Sequence, residues 1–267
     1  MLRLLDARTG RYAEVRPARP GLLRIGAYLP PDGAAPAWTG VRVLLIADLL
    51  ARVAELGGLQ VLTAALFAGE PPADQDDAER AAVALGIHPA AARVSADRAA
   101  SVLGGPPDVH ITGPGGGAGA TAGPVARSGP VHGDTAAARG GPSLADPLAG
   151  DPLAGDPLAV RLALLSRPHD QPADLGAAPL AAAGQTLARW RGRVAAWAES
   201  PSRPMPDSAR AALDAAFTDL DMTATLRVLA DLEQDADVPD GARFETFAFA
   251  DRVLGLDLAR EVGQSHQ

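Results

Sequence analysis

The chain has 267 residues, is 47% hydrophobic and 4% aromatic, and carries a formal charge of −8. That length holds one large domain or two modest ones, and an apolar fraction made largely of alanine points to a helix-rich, modestly packed protein. Cysteine, lysine and asparagine are absent, which excludes disulfides, thiolate metal sites and any step that needs a lysine ammonium.

Residues 1–20 read as a short strand and turn, with Thr9-Gly10 at the bend and Pro17 and Pro20 closing it. A buried strand is expected over 22–28, then a breaker-rich loop from Pro30 to Pro36. A helix over 41–56 carries Asp48, Arg52 and Glu55 outside its apolar face and stops at Gly57-Gly58. A second buried strand over 59–67 completes a strand–helix–strand unit, the start of a parallel α/β sheet. Helices are expected over 74–85 and 90–102, and a third short strand over 108–112. From Gly113 to about Ser143 the composition is Gly, Ala, Pro and Ser, which cannot bury enough apolar area to offset ordering, and reads as a flexible linker. Three tandem Asp-Pro-Leu-Ala units follow, at 146–149, 151–154 and 156–159, a period that matches no solenoid. The remainder is helical. Leu158, Leu162 and Leu165 share one face; Leu187, Trp190, Val194 and Trp197 another. Helices follow over 209–220, 223–232 and 244–254, joined by short connections that imply a bundle.

Charge is unevenly spread. Residues 1–28 carry six arginines against Asp6 and Glu14, whereas 201–267 carry thirteen acids against six arginines. Such an acidic surface repels a phosphate backbone, so neither tRNA nor DNA is an expected partner. The opening residues lack the apolar run and cleavage site of a signal peptide, and no apolar stretch reaches 18 residues; the expectation is a cytoplasmic protein with no membrane association.

The residues offer little conventional chemistry. His88, His110, His132, His169 and His266 show no i,i+3 or i,i+4 pairing, and no metal site is expected. His110, at the end of a strand, is a candidate to line a cleft. Gly113 to Gly119 has the glycines of a phosphate loop but neither the lysine nor the following helix, and reads as linker. No Gly-x-Ser-x-Gly elbow occurs. Asp76-Asp77 and the pair Asp219 and Asp221 read as solvated helix surface, and Trp190 and Trp197 as core.

Several ordered segments resemble the cysteinyl-tRNA synthetases and the related mycothiol cysteine ligases of actinobacteria. The opening Arg3-Leu4-Leu5-Asp6-Ala7-Arg8-Thr9-Gly10, with Val15-Arg16-Pro17 and Pro20-Gly21, is similar to that family's start. The helix from Arg42 to Glu55 matches in register, including Arg42, Asp48 and Arg52. Asp108-Val109-His110 resembles a strand near a zinc-site segment. The run from Asp156 to Leu165 resembles the segment after the second ATP signature. Leu187 to Arg191, Asp219 to Thr223 and Val253 to Leu256 fit the helical bundle. The resemblance implies a class I synthetase-like Rossmann sheet, reduced in size, followed by an α-helical bundle. It divides the chain into an α/β domain over 1–112, a linker over 113–155 and a bundle over 156–267.

The family activates cysteine with ATP and grips the thiol with zinc. The departures fall on that chemistry. Tyr28 stands where the resemblance places a zinc cysteine. Ala37, Trp38, Thr39 and Gly40 stand where it places the first ATP signature, so both imidazoles that stabilise developing phosphate charge are gone; each such donor is typically worth about 10²–10³ in rate. The second, lysine-bearing signature is replaced by linker and repeat. The resemblance therefore implies a fold and an ancestral ligand class without the activity. It describes a pseudoenzyme with ancestral ATP and zinc lost, which binds a small molecule or a protein partner, with Tyr28 and His110 as cleft candidates. The alternative is an active ATP-dependent aminoacyl-adenylate-forming ligase in which Arg42, His110, Arg127 or Arg139 replaces the lost donors.

Overall fold

A computed structural model describes residues 2–30, 37–71, 77–116, 123–132 and 156–264. The chain opens with a hairpin of β1 (Arg3–Asp6) and β2 (Arg11–Glu14), in which Gly10 takes the left-handed conformation (φ 65°) that the turn requires. A five-stranded sheet follows, built from β3 (Leu22–Tyr28), β4 (Gln60–Phe67), β5 (Ala92–Ser95), β6 (Val109–Thr112) and β7 (Val125–Arg127). All neighbours are parallel, in the order β5-β4-β3-β6-β7. The chain thus begins in the middle of the sheet, builds outward to one edge and crosses back to build toward the other. The strand order reverses between β3 and β6.

Side chains alternate between faces with period two, and the two faces bury differently. Leu23, Ile25 and Ala27 of β3, with Val109 and Ile111 of β6, pack with helix α1 (Ala37–Leu56) in the main core. Helix α2 (Asp77–Ala84) lies beside α1. On the opposite face Ala64 and Leu66 of β4 pack with Ala99 and Leu103 of the short helix α3 (Ala99–Leu103). That helix covers β4 and β5.

Two differences from the sequence expectations stand out. The alanine-rich segment expected as one helix over 90–102 instead forms β5, a single 3-10 turn and α3. Pairing of Ala92 to Ser95 with Ala64 to Phe67 overrides local helix propensity, and the Arg93 guanidinium settles 5.5 Å from the Phe67 ring centre. The span 113–155, expected as linker, contains β7 and a two-residue strand β8 (Val131–His132). Val125, Ala126 and Val131 are buried there, so the few apolar residues between the glycines suffice to anchor a sheet edge. Repeat units 146–149 and 151–154 lie outside the described residues.

In the third unit, Asp156 caps helix α4 (Pro157–Leu165) by accepting a hydrogen bond from Leu158 N–H (2.9 Å). A short strand β9 (Ala173–Asp174) pairs with β8. Four helices complete the chain: α5 (Ala177–Trp197), α6 (Asp207–Thr218), α7 (Met222–Gln234) and α8 (Asp240–Leu254). Trp190 and Trp197 both meet the Phe247 ring edge-on, at 5.6 and 5.1 Å between centres. The apolar core is continuous from β3 and α1 through α4, α5 and α8. No helix among the described residues is long and apolar enough to cross a membrane.

Candidate functional site

In an open parallel sheet the carboxyl ends of the strands, at the point where the order reverses, form a crevice between the crossover connections. Here that point lies between β3 and β6, and it brings together two residues 82 positions apart in sequence. The Tyr28 hydroxyl hydrogen-bonds His110 Nδ1 at 2.9 Å, with ring centres 5.6 Å apart. The register explains the meeting. Gly26 is paired with His110, and Tyr28 with Thr112, so all four lie on the face opposite α1. Gly26 leaves the room: a Cβ there would come within 3.2 Å of the Tyr28 ring and 3.0 Å of Leu66. Burial raises the Tyr28 pKa, so the phenol keeps its proton at neutral pH. His110 is buried and Tyr28 half-buried.

Asp108 holds β6 against β3 at the other end of the strand. Its carboxylate accepts from the N–H groups of Ala18 (2.8 Å) and Arg24 (2.9 Å). The Asp108-Val109-His110 segment therefore combines a strand anchor with a site residue.

Ala37 to Gly40, the residues expected to stand in place of an ATP signature, form the start of α1. Trp38 packs against the core, Gly40 is buried, and the Thr39 hydroxyl accepts the Val131 N–H (3.3 Å). That hydroxyl is thus engaged with β8. The helix begins at the same carboxyl edge of the sheet as Tyr28, and its first turn carries no acidic residue.

Arg42 and Asp48 are structural. Arg42, 1% exposed, donates to the backbone carbonyls of Gly129, Gln171 and Pro168, and so straps the β8 and β9 segments onto α1. Burial pulls its pKa down to about 10, partly opposed by Asp170, which leaves it charged at neutral pH. Asp48 accepts from Arg52 Nε (2.8 Å), Arg161 Nη2 (2.8 Å) and the His88 N–H (3.2 Å), with His88 Nδ1 at 2.9 Å.

The other sequence candidates are dispersed. His132 is exposed on β8. Asp219 pairs with Arg3, and Asp221 caps α7 by accepting from Ala224 N–H. Arg127, expected in a linker, ends β7. Arg139, His266, Asp76 and Gly117 to Gly119 lie outside the described residues. Among the described residues no three His, Asp or Glu side chains are placed to hold a metal ion.

Sequence reasoning missed Thr112 and the environment of His169. Among the described residues the buried Thr112 hydroxyl has no hydrogen-bond partner, and neither does the buried Nε2 atom of His169. A signal for Thr112 was present in its position two residues after His110, which puts both on one strand face. No local signal marks His169.

No protein-family model matches this chain, and no curated protein matches it significantly in sequence.

Proposed function

We propose that the protein binds a small ligand at the carboxyl ends of β3 and β6, on a class I synthetase-like scaffold that has lost ATP-dependent cysteine activation. The observation that carries this reading is the Tyr28–His110 pair. It places a phenol and an imidazole at the reversal point of a parallel sheet, where such sheets hold their ligands. Loss of catalysis is supported by residue type. A phenol replaces the thiolate position at Tyr28, the first turn of α1 lacks an imidazole, and no lysine exists in the chain.

Two measurements test the reading. ATP–pyrophosphate exchange with cysteine and the other amino acids is expected to stay at background; robust turnover at catalytic concentration would end the pseudoenzyme reading. Calorimetric titration with free amino acids and adenine nucleotides is expected to find a binder, and Tyr28→Phe to weaken it about 3- to 10-fold, the scale of one hydrogen bond. If no probe binds the native protein, the ligand-site reading fails. A second reading, an aminoacyl-adenylate-forming ligase, is favoured by one observation: Arg127 stands at the same sheet edge and could take over a lost cationic role. Amino-acid-dependent exchange abolished by Arg127→Gln would establish it.

A further inference from the structure

Helix α1 starts after the carboxyl end of β3 and returns to the amino end of β4, so its last turn lies at the opposite end of the sheet from Tyr28. Gly58 stops the helix. Its φ of 85° is that of a left-handed cap, and the Leu59 N–H bonds back to the Ala54 carbonyl at 3.0 Å. That bond folds Leu59 against the end of the helix. The N-terminal hairpin opens nearby, where the Val15 N–H donates to the Leu2 carbonyl at 2.9 Å. Helices α6 and α8 supply a further wall, with the Phe217 and Phe249 rings 5.9 Å apart between centres. These segments together line a cavity of about 640 Å³, against about 130 and 260 Å³ for two others that α1 also lines.

The lining is mainly apolar and accessible. Leu2, Val53, Leu56, Leu59 and Phe249 all line the cavity; each packs against the main core and stays only partly buried. The charged side chains of the lining cancel in pairs. Arg16 donates to Glu14 at 2.7 Å, and Arg210 forms an ion pair with Asp214 at 2.9 Å. The Arg210 guanidinium also lies 4.5 Å from the Phe249 ring centre, so it rests on the apolar wall. Among the described residues no other charged side chain lines the cavity. Helix α1 has no basic residue in its last turn, so the negative end of its dipole is uncancelled where Leu56 and Gly57 meet the cavity.

Size and charge together define the occupant. Small-molecule sites have volumes of roughly 300–1,000 Å³ and mainly apolar linings. A lining whose charges are already paired offers an ion no partner to offset its loss of water, and the end of α1 disfavours an anion further. We infer that this cavity binds a neutral, mainly apolar small molecule, held between the end of α1, the open end of the hairpin and the Phe217–Phe249 wall. The site is separate from the Tyr28–His110 crevice and stands or falls independently of the function proposed for it.

A matched pair of dyes tests it: N-phenylnaphthylamine, which is neutral and brightens in apolar surroundings, and anilinonaphthalene sulfonate, the same ring system with an added anion. Titrated into the full chain, the neutral dye is expected to saturate at one equivalent and to raise the melting temperature, and the sulfonate to bind about tenfold or more weakly. Val53→Glu places a charge in the wall and is expected to weaken the neutral dye about tenfold or more, and Leu59→Gln, a polar side chain of similar size, to weaken it severalfold. Tyr28→Phe is expected to leave it within about twofold, which sets this cavity apart from the crevice. The rise in melting temperature is read on the native chain, so the inference stays open to refutation if a variant fails to fold. A neutral dye that does not saturate or does not raise the melting temperature overturns it. So does equal affinity for the two dyes, or indifference to whichever wall substitution folds. Sedimentation that finds a dimer separated by the neutral dye assigns the cavity to a second copy of the chain, and overturns it as well.

Discussion

Asp48 ties three segments together through a single carboxylate: Arg52 on its own helix α1, His88 after α2, and Arg161 of α4; Arg161 in turn donates to the carbonyls of Leu254 at the end of α8 and of Leu85. Arg161 is 0% exposed, so its charge has no recourse to water. Gly255 completes the arrangement with φ 62°, and a Cβ there would press to 3.0 Å of the Arg161 guanidinium. Replacement of Asp48 by Asn keeps the shape and removes the charge. It is expected to cost about 3–5 kcal/mol in urea unfolding, the scale of an uncompensated buried ion. The pH dependence follows. Burial would raise the Asp48 pKa, but Arg161 and Arg52 outweigh it and hold the carboxyl below its ordinary value. A depressed folded-state pKa stabilises above the unfolded carboxylate value and loses that contribution as pH falls through the folded value. Native stability should therefore drop in the acid range below about pH 4, more steeply than in Asp48→Asn. The sequence brings Arg42, Asp48 and Arg52 forward only as matches in register with the family it resembles. It does not reveal what they hold, because Arg161 is 113 residues from Asp48 and the carbonyls bound by Arg42 are 87 to 129 residues away.

The strap that Arg42 secures is an element in its own right, formed by β8, β9 and the turn before β9. His169 sits in that turn. Burial lowers its pKa, opposed by Asp170 and reinforced by Arg42, with Asp221 raising it to a smaller extent. The unfolded chain therefore binds a proton that the folded strap refuses, and stability should fall as pH drops below about 6.5. Thermal melts at pH 5 and pH 7.5 are expected to differ less for His169→Gln than for the native chain; an unchanged difference would remove His169 from the account. Elsewhere at this scale the helical half was legible, since its apolar spacing of three and four residues is a local property. The expected helices over 209–220, 223–232 and 244–254 appear as α6, α7 and α8. Segments 90–102 and 123–132 were misread because strand formation there depends on a partner. β5 exists through β4, β7 through β6, and β8 through β9.

Across the whole molecule, the apolar core runs without a break from the sheet face under α1 into α4, α5 and α8. A chain with one continuous core is expected to unfold as one unit. In a Trp38→Phe variant, Trp190 and Trp197, both buried beside Phe247, report the helical half by fluorescence, while far-ultraviolet dichroism reports all elements. The two urea transitions should superimpose. Separated midpoints would show that the α/β and helical halves melt independently.

The sequence by itself determined the strand–helix–strand opening, the parallel character of the sheet and the helical second half, because each is written in periodicities shorter than a turn or two of chain. Through the family resemblance it also named Tyr28 and His110 together as cleft candidates, and Arg127 separately as a linker arginine. Only the tertiary structure decided the order β5-β4-β3-β6-β7 and the register that lines up Tyr28, Thr112 and Arg127 with His110 beneath them. A strand's neighbour is set by pairing across long loops and by burial of both sheet faces, and those energies belong to no local stretch of residues.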